Sequence, residues 1–237
     1  MTILLIPGLI CDAHVWRETR RRVPGAIVAD VTRQETITGM AEALLARHPG
    51  TLVPVGHSMG GRVAMEMARL APDRIAAMAL LSTGMHPRKT GEEASREAMI
   101  RLAHDDGMAA LADRWLPGMM AAGITPDPDV MDGLRQMVLR MTPEIHERQM
   151  RALLARPDAS RTVGAHGKPM LLVVGRQDIW SPVTRHEDIR RLCPQAEMHI
   201  IERAGHFVPA EQPEATAEVI AAWLRTHAAT TSGRDDP

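Results

Sequence analysis

The stretch Leu52-Val53-Pro54-Val55-Gly56-His57-Ser58-Met59-Gly60-Gly61 decides the architecture. Residues 52–57 read as a buried strand and residues 59–70 as a helix. Between them stands Gly56-x-Ser58-x-Gly60. A strand that turns this sharply into a helix forces its central residue into strained backbone angles, and side chains beside it would clash. Glycines therefore flank the serine. The hydroxyl of Ser58 is then exposed above the strand ends. The helix that follows points its first amides at the same spot, which favours a developing anion there.

Outward from this turn, short apolar runs alternate with amphipathic stretches. Strands are predicted at 3–6, 26–31, 52–57, 75–81, 170–174 and 197–201. Ile37, Met40, Ala41, Leu44 and Leu45 form the i, i+3, i+4, i+7, i+8 stripe of a helix over 36–47. Further helices are predicted at 59–70, 183–192 and 213–227. This alternation implies an α/β fold with a mostly parallel, doubly wound sheet and right-handed crossovers. Residues 85–160 contain no strand-like run. Helices are predicted there at 92–104, 108–115, 128–140 and 143–156. The last has Thr142 as N-cap and Pro143 at its first position. The chain thus divides into a core at 1–84 and 161–227, a helical cap insertion at 85–160, and a tail at 228–237 expected to be disordered.

The 237 residues suit one domain. A net charge of −1 offers no basic face, which argues against nucleic acid as a partner. No apolar run reaches the ~18–20 residues of a membrane span, and the chain enters its first strand without a secretory leader pattern. Cys11 and Cys193 are too few and too far apart for a disulfide framework. A cytoplasmic protein with reduced thiols is expected. Oligomeric state is left open.

Gly56-His57-Ser58-Met59-Gly60-Gly61 resembles the nucleophile elbow of the α/β-hydrolase superfamily, and the resemblance runs over about residues 3–227. It implies the family's sheet shortened at its start, a cap after the sixth family strand, and a triad in the chain order serine, acid, histidine. Ser58 would be the nucleophile, and a serine needs a base within hydrogen-bond reach. His206, in Ala204-Gly205-His206-Phe207-Val208-Pro209, resembles the family's histidine loop. Asp178 ends Val173-Val174-Gly175-Arg176-Gln177-Asp178, which resembles the acid loop, with Pro182 beyond it. It would orient His206 and stabilise its charged form. Some members carry the acid after the sixth family strand, but here Leu81-Ser82-Thr83-Gly84 has no carboxylate. The oxyanion hole would use the backbone amides of Met59 and Leu9. Leu9 lies in Pro7-Gly8-Leu9-Ile10-Cys11-Asp12, which resembles the family's His-Gly-x loop with Pro7 in place of the histidine.

Other residues compete for roles. The side chain of His57 is expected to point away from that of Ser58, for packing or substrate lining. Trp115, Trp180 and Phe207 are further pocket candidates, Trp180 because it follows the acid loop. Asp12 and Trp16 are expected to anchor the loop after the first strand, and Cys11 to pack. His86, His104 and His146 are expected at the surface, with lining of the pocket left open for one of them. Nine of the 17 methionines fall in 85–160. They suit helical core packing in a chain with one Phe and no Tyr, or an adaptable apolar pocket.

The leading expectation is hydrolysis of a small carboxylic ester or lactone through an acyl-enzyme, on a small-molecule substrate with an apolar acyl or aromatic part. The chemistry calls for no metal and no organic cofactor. Two alternatives stay open. A carbon–carbon hydrolase of ring-fission diketones would need a cap residue for a carboxylate, and Arg114, Arg135, Arg140, Arg148 and Arg151 are available. A triad-dependent lyase of the menaquinone-synthesis type is suggested by Gly61-Arg62-Val63-Ala64-Met65. Haloalkane dehalogenases and epoxide hydrolases need a carboxylate where Ser58 stands. A receptor or scaffold would tolerate loss of a triad member, and none is lost.

Overall fold

A strand buried on both faces must be apolar throughout, and β3 (Leu52–His57) and β5 (Met170–Gly175) are buried along their whole length. The structure, a computed structural model, describes residues 1–228. Within them β1 (Thr2–Ile6), β2 (Ile27–Val28), β4 (Met78–Leu81) and β6 (Glu197–Ile201) join β3 and β5 in one sheet of six strands. Every pairing is parallel, in the order β2-β1-β3-β4-β5-β6. Ile6 pairs with Gly56, His57 with Leu81, and Gly175 with Ile201, so the strands finish along a common edge. From β1 the chain runs outward to β2, then returns across β1 to β3. Ligand sites of open α/β sheets form at such a reversal, outside the carboxyl ends of the strands.

The helices are α1 (Arg17–Arg22), α2 (Ile37–Arg47), α3 (Met59–Leu70), α4 (Glu92–Asp105), α5 (Gly107–Trp115), α6 (Pro128–Leu139), α7 (Pro143–Leu154), α8 (Ser160–Ala165), α9 (Val183–Leu192), α10 (Val208–Glu211) and α11 (Pro213–Ala228). Local chemistry sets several of their starts. The Thr36 side chain accepts from the amide of Gly39 at the head of α2, and that of Thr142 accepts from Ile145 at the head of α7. Helices α4 to α8 all lie between β4 and β5. Met108, Met119, Met120, Met137 and Met150 are buried there, and Met99, Met131 and Met141 pack partly buried against the same core.

The structure departs from the sequence expectations in several places. The strand expected at 26–31 forms only at Ile27–Val28. Asp30 accepts from both the amide and the hydroxyl of Thr32, a side-chain turn that competes with the strand ladder. The strand expected at 75–81 begins at Met78; Ile75 makes an isolated bridge to Leu52 and the chain bends before the strand proper. Helix α1 was unreadable from pattern because Arg17-Glu18-Thr19-Arg20-Arg21-Arg22 carries no apolar stripe; Glu18 pairs with Arg21 and Arg22 instead. His146, expected at the surface, is 1% exposed on the inner face of α7. The tail expected at 228–237 falls, from residue 229 on, outside the described residues. Among the described residues no helix is long and apolar enough to cross a membrane.

Candidate active site

Ser58 occupies the turn between β3 and α3 with φ 52° and ψ −113°. This is the strained left-handed region that a non-glycine residue rarely adopts, and it persists only where neighbours enforce it. The enforcement is visible. A β-carbon at Gly56 would stand 2.3 Å from the Gly60 carbonyl oxygen, and one at Gly60 would stand 2.1 Å from the Ile6 carbonyl oxygen. The turn is therefore pressed between its own helix and the end of β1. The amide of Ser58 donates to the Leu81 carbonyl at 2.9 Å, and the Thr83 hydroxyl donates to the Ser58 carbonyl at 2.8 Å. Residues 81–84, empty of carboxylates, thus hold the turn in place.

Asp178 and His206 stand on the loops after β5 and β6. His206 Nε2 lies 2.8 Å from Ser58 Oγ, and its Nδ1 lies 3.0 Å from Asp178 Oδ2. Because the carboxylate only accepts, Nδ1 carries the proton and Nε2 is left to accept from the serine hydroxyl. Asp178 is 3% exposed and His206 7%. Burial pushes the Asp178 carboxyl up, but His206 beside it and the amides of Ser181 and Trp180, each 2.8 Å from Oδ1, hold it well below the usual carboxylate range. Asp178 is thus held as the carboxylate that accepts from His206 Nδ1–H.

His57 and Phe207 are each 1% exposed and pack against the imidazole, with ring centroids 5.5 and 6.3 Å from that of His206. Trp115 meets the edge of Phe207 at 5.7 Å. Trp180 stands apart from this ring cluster and is 49% exposed, with its indole N–H donating to the Gly118 carbonyl at 2.9 Å. Leu9 and Met59 are buried, one after β1 and one at the start of α3. Cys11 is buried, and burial pushes its thiol well above the ordinary range, consistent with packing. Asp12 caps the turn at Ala13–Trp16 by accepting from His14, and pairs with Arg140 at 2.8 Å, anchoring its loop to α6's end. A cavity of about 410 Å³ lined by His14, Arg17, Asp129, Gly133 and Pro209 opens elsewhere and takes in none of Ser58, Asp178 and His206. Among the described residues no group of three or more His, Cys, Asp or Glu could hold a metal ion.

The sequence profile described as the alpha/beta hydrolase family matches residues 3–219. The chain belongs to this family. It is similar to the dihydrolipoyllysine-residue acetyltransferase component of an acetoin cleaving system from Pseudomonas putida, 30% identical over 73% of this chain and 45% of that one. It thus spans under half the length of that relative. It is also similar to the pimeloyl-[acyl-carrier protein] methyl ester esterase of Methylococcus capsulatus, 27% identical over 92% of both chains. A solved structure, a thermophilic esterase from Thermogutta terrifontis, superposes with a TM-score of 0.87 at 29% identity, over 96% of this chain and 90% of that one.

Two polar residues of this α/β hydrolase escaped the sequence analysis. Gln149, on α7, is fully buried; its Oε1 accepts from the Ile10 amide at 2.7 Å and its Nε2 donates to the Val31 carbonyl at 3.1 Å. Ile10 has φ 46°, so the loop after β1 is held in a strained conformation by a residue of α7. One signal for Gln149 existed. It stands three residues after His146 and next to Met150, on the inner face of α7, where a polar residue needs a partner. Glu211, on α10, accepts from the amides of Gly205, Phe207 and Ala121. Burial raises its carboxyl above the usual range while those amides oppose the rise. Nothing in the spacing of the sequence announces it.

Proposed function

We propose that this α/β hydrolase cleaves a small carboxylic ester or lactone through an acyl-enzyme, with Ser58 as nucleophile, His206 as base and Asp178 as the acid that orients it. One observation carries the reading: the His206 imidazole bridges Ser58 Oγ at 2.8 Å and Asp178 Oδ2 at 3.0 Å. Ser58 attacks the carbonyl carbon while His206 Nε2 takes the hydroxyl proton. The imidazolium so formed is stabilised by the ionised Asp178, which keeps its own charge. The oxyanion is assigned to the amides of Leu9 and Met59, the second lying at the N-terminus of α3. Each such donor is worth roughly 3–4 kcal/mol where water is excluded. His206 then returns its proton to the leaving alcohol, and a water activated by the same nitrogen hydrolyses the acyl-enzyme.

The named esterase activities of the Methylococcus and Thermogutta relatives favour an ester over a carbon–carbon bond. Helices α4 to α8 are read as a cap, since Gly118, Met119 and Gln149 reach the loops that carry the triad and the Leu9 amide. Trp180 is the best pocket-lining candidate by its exposure. His57, Phe207 and Trp115 are read as the packing behind the base. Two free, buried thiols suit a reducing, cytoplasmic setting. The deciding experiment is fluorophosphonate labelling of Ser58, together with a screen of short p-nitrophenyl esters and lactones on the wild type and on Ser58→Ala. Turnover should fall by about a thousandfold or more in the variant; an ester activity that survives the change removes the nucleophile.

A further inference from the structure

We propose that Glu211 is a positioning residue for His206, fastening the histidine loop to segment 118–122 between α5 and α6. This rests on the function proposed above. Oε1 of Glu211 accepts from the Gly205 amide at 2.9 Å and the Phe207 amide at 3.1 Å, the residues on either side of the base. Oε2 accepts from the Ala121 amide at 2.8 Å. The amide of His206 itself donates to the Met119 carbonyl at 2.8 Å. Three consecutive amides of the histidine loop are thus held, two by one carboxylate and the third by the segment that the same carboxylate grips.

Backbone meets backbone here. A β-carbon at Gly205 would stand 2.4 Å from the Met120 carbonyl carbon and 2.5 Å from the Ala121 nitrogen. The same segment reaches the acid loop, since Gly118 accepts from the Trp180 indole at 2.9 Å and the Ala122 amide donates to the Gln177 carbonyl at 3.5 Å. A carboxylate suits the position because it accepts from three amides and donates to none. A glutamine would turn an N–H₂ toward one of those N–H groups. Glu211 touches no reacting atom of the proposed mechanism. It acts through the backbone that carries the imidazole.

The test compares the full-length wild type with Glu211→Gln and Glu211→Ala. Three readouts are taken: steady-state hydrolysis of a p-nitrophenyl ester, the rate of fluorophosphonate labelling at Ser58, and the downfield proton resonance of the His206 Nδ1–H facing Asp178. Misplacement of a reacting group by an ångström costs about a hundredfold, so kcat and labelling rate should fall by about that factor in Glu211→Ala and by about tenfold in Glu211→Gln, with little change in KM. The resonance should broaden in both as the imidazole loosens. Wild-type labelling rates and an undisturbed resonance in the folded variants would overturn the assignment, as would losses that follow only the unfolded fraction. If Glu211→Ala does not fold, Glu211→Gln decides. Failure of the wild type to label would sink the hydrolytic reading instead, and the resonance, which needs no turnover, would still decide the role of Glu211.

Discussion

The Nε2–H of His57 donates to the backbone carbonyl of His206 across 2.8 Å. A carbonyl only accepts, so the proton of His57 sits on Nε2. Burial, and His206 beside it, hold the His57 imidazole down to about 3, and it is neutral wherever the enzyme is folded near neutrality. Two adjacent histidines therefore do different work. One faces Ser58, and the other grips the backbone of the first from the end of β3.

Replacing His57 with Phe keeps a ring against Trp16 and Phe207 but orphans that carbonyl. An unsatisfied buried acceptor costs about 1–3 kcal/mol, and stability in urea should fall by that amount. The value of kcat should drop with it while KM holds. Unchanged stability would show that the bond contributes nothing.

Asp178→Asn keeps the volume but can turn an amide N–H toward His206, favouring the wrong tautomer. By the behaviour of serine triads, kcat should fall by about ten-thousandfold with the fold intact by circular dichroism. A loss smaller than about tenfold in single-turnover kinetics would remove Asp178 from the proposed role, since that is below even ordinary general-base effects.

Acid should unfold this protein through its buried histidines. Burial holds His57 down to about 3, and His146 and His186 down to about 4, each at 1% exposure or less. Below the unfolded value of 6.5 the unfolded chain binds protons that the folded chain refuses. Their contribution is therefore complete above about pH 6.5 and drains away as pH falls toward about 4. Asp178, held low by its partners, adds a loss of the same sign in a lower window. Urea melts at pH 7, 6, 5 and 4 should show the decline. His146→Gln should flatten it by about 1.4 kcal/mol per pH unit, the slope of one proton. A level profile from pH 7 to 4 would refute the assignment.

Gln149→Leu preserves approximate bulk and removes both anchors of the loop after β1. The buried Ile10 amide loses its acceptor, so stability should drop by about 1–3 kcal/mol. Because the Leu9 amide is the proposed oxyanion donor one residue away, kcat should fall by about tenfold or more, against the 10²–10³ expected for outright loss of a donor. Lost stability with unaltered kcat would separate Gln149 from the oxyanion hole.

The strand–turn–helix at Ser58 was legible in the sequence because its steric demands are local: the atoms that exclude a β-carbon at Gly56 belong to Gly60 and Gly61. The alternation around it likewise spelled out a parallel sheet, and the order of the three loops followed from the order of the strands. Elements without an apolar stripe, such as α1, were not legible, and the Asp30 turn shortened a strand that pattern alone had extended. What tertiary structure decided was the support of the site. Gln149 finds its partner 139 residues away and Glu211 reaches Ala121 across 90. His146 is buried on α7, the helix against which α4 packs. Short-range sterics and periodicity are written residue by residue, whereas a buried polar group is satisfied by whatever the topology brings beside it.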